Sequence, residues 1–138
     1  MKYELVIPGN PVGKARPFFT KNGHGFTPEK TANFENLVRL KFMEKYPDAK
    51  PLETAVRAGI VAEFPIPKTS KAKRAAMLAG TIKPEKKPDC DNIAKICLDA
   101  LNGYAYDDDK RVTFLAVEKT YSETPRTKIV ITDAGEMA

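Results

Sequence analysis

The chain has 138 residues, 42% of them hydrophobic and 30% charged, enough for one soluble domain with a single sizeable core and without low-complexity segments. No apolar run approaches the roughly 20 residues that span a bilayer, and the start "MKYELVIPGNPVGKARP" lacks the apolar stretch of a signal peptide, so a cytoplasmic protein without membrane contact is expected. Lys and Arg number 23 against 18 Asp and Glu, a net charge of +5 with a pI near 9.2, which favours an anionic partner.

In chain order, "KYELVI" alternates Tyr3, Leu5 and Ile7 and reads as a strand ended by "PGNP". "PFFTKNGHGFTP" reads as two short extended pieces around the turn signal Asn22-Gly23, with His24 an exposed loop residue. Phe34, Leu37, Val38 and Phe42 recur at helical spacing between Pro28 and Pro47, which predicts a helix of about four turns. Val56, Ala58, Ile60, Ala62 and Phe64 alternate, a strand closed by two prolines. From Lys68 to Lys87 there are seven basic residues against Glu85 alone, a loop carrying one short helix in "SKAKRAAMLAG". Ile93, Ile96, Cys97, Ala100 and Leu101 then mark an amphipathic helix from Asp91, stopped by Asn102-Gly103. "VTFLAVEKTYS" and "TKIVIT" predict two strands joined across "ETPR" as a hairpin. The expected fold is a single α+β domain spanning residues 1–138, a mixed or antiparallel sheet packed against two main helices. Cys90 and Cys97 lie seven residues apart, roughly 10 Å along one helix, too far for a disulfide. With His24 the only histidine they form no zinc set, and both read as reduced packing cysteines.

The stretch "KKPDCDNIAKICLDALNGYAYDDDKRV" raises a problem of charge. It gathers Asp89, Asp91, Asp99, Asp107, Asp108 and Asp109 in a basic protein, and carboxylates repel unless a positive charge stands between them. Either of Asp89 and Asp91 can cap the helix, where the helix dipole favours a negative charge. Asp91 and Lys95, at i and i+4, share a face away from the apolar one. If the helix packs beside the strand beginning at Val112, the acids before that strand can reach those at the helix start. Three carboxylates without histidine or thiolate suit a hard cation, Mg²⁺ or Mn²⁺ in its place. Such an ion activates water and stabilises the leaving oxygen of a phosphodiester, and Lys95 adds charge beside the phosphate. Asp99, one turn beyond Lys95, either orients it or is merely solvated. Lys14 and Arg16 are expected to contact phosphates, as are Lys71, Lys73, Arg74, Lys86 and Lys87. Phe18, Phe19 and Phe26 read as core or interface packing, with wedging against exposed bases as the alternative.

These residues resemble the signature of RusA-type Holliday-junction resolvases, approximately KPDxDNxxKxxxDALN, an aromatic residue, then DD, x, Q and a β-branched residue. The opening "PGNPVGKARPFFTKNG…FTPEKT" is similar to the family's as well. The resemblance implies a homodimeric, Mg²⁺-dependent endonuclease that resolves four-way DNA by paired symmetric cuts. It assigns metal-binding and catalytic roles to Asp89, Asp91 and Asp109, with Asp108 as the neighbouring ligand, and makes Lys95 the lysine needed for cutting. The chain departs from the signature in the extra Asp107 and in Lys110-Arg111. Two paired cuts fit a two-fold dimer with one acidic site per chain. The other readings are a non-catalytic basic DNA-binding protein, its acids serving as caps and turns, and a metal-dependent phosphatase or nucleotide hydrolase, for which two basic arms have no use.

Overall fold

The computed structural model describes residues 1–137, with the side chains of Phe18, Phe26, Glu136 and Met137 outside that description. The alternation in "KYELVI" becomes strand β1 (Lys2–Pro8), with Tyr3, Leu5 and Ile7 buried and their neighbours exposed. Two short strands, β2 (Phe18–Phe19) and β3 (Gly25–Phe26), pair antiparallel around the Asn22-Gly23 turn. Helix α1 (Glu29–Lys45) follows Pro28 and buries Phe34, Val38 and Phe42. Strand β4 (Val56–Pro65) is followed by the short helix α2 (Lys71–Ala79). Ser70 caps α2 by accepting from the Lys73 N–H at 3.3 Å. Helix α3 (Cys90–Leu101) comes next, then strands β5 (Val112–Ser122) and β6 (Arg126–Asp133).

The main sheet has the order β1-β6-β4-β5. It is mixed: β1–β6 and β6–β4 are antiparallel, whereas β4–β5 is parallel. Val56, Ala58, Ile60, Ala62 and Phe64 of β4 point to the same side as Ile129 and Ile131 of β6, and there they meet α1 and α3. Ile96 and Cys97 of α3 and Val38 of α1 have no exposed surface. Each such apolar side chain contributes about 1.5–3 kcal/mol by leaving water. Burial also pushes the Cys97 thiol up to about 12, fitting an inert packing role, while Cys90 is exposed and neither forms a disulfide.

One expectation is corrected. β5 and β6 do not pair as a hairpin, because β4 lies between them and bonds to both. Glu63 pairs with Arg126 and Pro65 with Ser122, so the connection through Glu123, Thr124 and Pro125 crosses the end of β4. Neighbouring strands sit about 4.8 Å apart, and a three-residue link spans two such spacings without strain. β4 is out of the way there because its prolines end the ladder.

Candidate metal and nucleic-acid site

The site is assembled at the start of α3. Lys87–Pro88 is a cis peptide, and Asp89 follows in the N-cap position with extended backbone (φ −76°, ψ 157°). Its carboxylate accepts no capping hydrogen bond. Asp91 stands in the first turn, exposed, and neither carboxylate has an ion pair or hydrogen bond among the described residues. Both therefore present free oxygens at the positive end of the helix dipole.

The N-terminal loop lies against this helix start. The Lys14 N–H donates to the Asn92 carbonyl at 2.8 Å. Gly13 makes the approach possible, since a Cβ there would sit 2.6 Å from Pro88 Cβ and 3.1 Å from Asn92 Cβ. Loop and helix enclose an open cleft of about 850 Å³. Asp89 and Asp91 line it together with Lys14, Arg16, Lys30 and Lys87, so two acids sit inside a basic rim.

Lys14 is not a free cation. Its Nζ lies 3.0 Å from Glu35 Oε2 and 3.3 Å from Asp99 Oδ2, joining the N-terminal loop to α1 and α3. Burial works against the charged form of Lys14, but those two carboxylates outweigh it and hold its pKa above 10.5. Lys95 Nζ reaches the same Asp99 oxygen at 3.8 Å.

The three consecutive aspartates have three different environments. Asp107 forms a two-pronged pair with Arg111, Nε–Oδ1 at 2.8 Å and NH2–Oδ2 at 3.1 Å. That hydrogen bond holds the Asp107 carboxyl below its usual range. Asp108 caps the 3-10 turn Asp109–Arg111, accepting from the Lys110 N–H at 2.9 Å. Asp109 is exposed; its carbonyl accepts from the Val112 N–H, but its carboxylate has no hydrogen bond or ion pair among the described residues.

Asp89 and Asp91 line one cleft, and Asp109 is not among the residues lining it. Among the described residues no three Asp, Glu, His or Cys side chains are placed to hold one metal ion. The Tyr106 hydroxyl donates to the Leu98 carbonyl at 2.6 Å, and its pKa is raised by burial and then by the Asp109 charge. At about 1.5 Å per residue, α3 carries the chain some 13 Å from Asp89 to Leu98.

The remaining candidates spread outward. Lys71, Lys73 and Arg74 are exposed on α2, and Arg74 pairs with Glu123 at 3.0 Å. Lys86 and Lys87 are exposed ahead of α3, and the Lys86 carbonyl accepts from Lys119 Nζ. His24 is exposed in its turn, as expected. Phe19, on the separate two-stranded β2–β3 sheet, is 70% exposed, which excludes core packing within the chain and leaves it available to an interface. Phe18 and Phe26 had the same expectation of core or interface packing, and their side chains lie outside the described residues. Sequence reasoning missed Lys30, Glu35 and Asn92. Glu35 left a signal, three residues before Val38 and seven before Phe42, a charge on the apolar stripe of α1.

Among known proteins, the family described as Endodeoxyribonuclease RusA matches residues 8–132. The chain is also similar to "Uncharacterized protein YqaN" of Bacillus subtilis (strain 168), with 34% identity over 138 residues, covering 96% of each chain.

Proposed function

The chain belongs to the RusA endodeoxyribonuclease family, and from that premise we propose that it is a Mg²⁺-dependent, structure-selective endonuclease that resolves four-way DNA by paired symmetric cuts. The observation that carries this reading is Asp89, an aspartate in the N-cap position whose carboxylate does no capping. The competing reading, a DNA-binding protein whose acids only cap and turn the chain, accounts for Asp107 and Asp108 but leaves Asp89, Asp91 and Asp109 without a use.

The residues fit a hard cation. Mg²⁺ is commonly held by one or two carboxylates, with water and substrate phosphates completing its octahedron, and Asp89 and Asp91 supply that pair. When bound, the ion makes water more acidic and offsets charge building on the phosphate. Asp109 is the remaining candidate third carboxylate. Lys95, on the exposed face of α3, adds positive charge beside the scissile phosphate. Arg16, Lys30 and Lys87 on the cleft rim hold the DNA backbone so that the phosphate lies over the two acids. Lys71 and Lys73, with Lys86, extend the contact along the junction arms. A homodimer places two such sites about a two-fold axis, matching two symmetric cuts.

The test is a gel assay on an end-labelled four-way junction beside a linear duplex of the same sequence. Paired nicks in the junction that need Mg²⁺, with the duplex left whole, are expected. Mg²⁺-dependent cutting of both substrates alike would remove the junction selectivity. No cutting of either would favour the binding-protein reading.

A further inference from the structure

The spacing of α3 puts Lys95 between two acids on one face, Asp91 one turn before it and Asp99 one turn after. In isolated helices the acid N-terminal to the lysine is the better partner, which favours Asp91. The ammonium nevertheless lies 3.8 Å from Asp99 Oδ2, and Lys95 forms no ion pair with Asp91. The difference lies in how the two carboxylates are held. Asp91 is exposed and unattached, so pairing with it would order two mobile side chains. Asp99 is already fixed: Lys14 holds the same oxygen at 3.3 Å and is itself anchored at 3.0 Å on Glu35, whose side chain is 8% exposed.

We infer that Asp99 is a positioning residue that parks the Lys95 ammonium on the side away from Asp91, two helical turns along α3 from it, keeping that carboxylate open to the cation. A lysine paired with Asp91 would compete with a divalent ion for the same oxygens. Parked on Asp99, it stays within one side-chain swing of the cleft without occupying it. Lys14, which sequence reasoning placed on a phosphate, here anchors the parking residue through Glu35.

This inference rests on the proposed metal site, and its test separates the two. The probe is Mn²⁺ alone, titrated without DNA by calorimetry or electron paramagnetic resonance into the full-length protein. The cycle comprises the wild type, Asp99→Asn, Lys95→Met and the double variant. Asp99→Asn keeps the fold because Lys14 retains Glu35, and circular dichroism verifies this. Asp99→Asn is expected to weaken Mn²⁺ binding about three- to fivefold, the size of one competing exposed ion pair. Lys95→Met alone should change the affinity by less than about twofold, yet restore it in the Asp99→Asn background. Simple summation of charge predicts the same Lys95→Met effect in both backgrounds, and that additive result would overturn the inference. If the wild type binds no Mn²⁺, or Asp91→Asn binds as well as the wild type, the metal site itself fails and the inference with it.

Discussion

Asp107, Asp108 and Asp109 are identical in chemistry and consecutive in sequence, yet of their carboxylates only that of Asp109 has no partner among the described residues. Asp109→Asn should therefore abolish junction cleavage while leaving junction affinity within about twofold, because it removes a charge and no hydrogen bond the fold uses. Asp107→Asn should keep cleavage, and full activity in Asp109→Asn would move the third role to a neighbour. The Arg111 pair makes a second prediction. The Asp107 carboxyl, followed by NMR, should titrate below 3.8, and Arg111→Met should return it to the ordinary value. A depressed carboxylate contributes stability that is present above its unfolded pKa of about 3.9 and is lost as pH falls through the folded value. The resemblance already pointed to Asp109. Which neighbour was a cap and which an ion pair depended on Arg111 folding back over one turn, and spacing alone did not settle that.

β1, β4 and α3 were legible because each has a clean period, and α1 because Phe34, Val38 and Phe42 recur between two prolines even though Leu40 and Met43 stay exposed. The β5–β6 hairpin was misread because a short Pro-containing link looks the same locally whether its strands touch or straddle a third. The site depends on a junction between elements that no period announces, the seat of the N-terminal loop on α3. Gly13→Ala probes it directly. With its Cβ 2.6 Å from the Pro88 ring, neither neighbour is a flexible tip, so the loop must lift. Overpacking of this kind costs about 1–3 kcal/mol, and it would also pull Lys14 from Asp99. A fall in Tm together with a fall in cleavage is expected. An unchanged Tm would mean the loop is not seated on the helix as described.

At the scale of the whole molecule, the proposed function has an excess of cations on the outside bring DNA to a small acidic centre. Composition had already indicated the anionic partner, and the cleft places four cationic side chains around two carboxylates. Grip and chemistry should then separate. Arg74 is engaged with Glu123, while the Lys71 and Lys73 ammonium groups have no ion pair among the described residues. Lys71→Ala with Lys73→Ala should thus weaken junction binding and reduce the slope of log K against log salt by about 2. Cleavage at saturating protein should recover fully, and an unchanged slope would make α2 a solvated surface. The central claim, that Asp89 is free for chemistry and not a cap, is tested most directly by single-turnover cleavage of a four-way junction by Asp89→Asn with Mg²⁺ at saturating protein. Asn is as good a helix cap as Asp, so the fold is indifferent to the change. The account predicts junction binding retained and a cleavage rate reduced at least about a hundredfold; cleavage at the wild-type rate would contradict it.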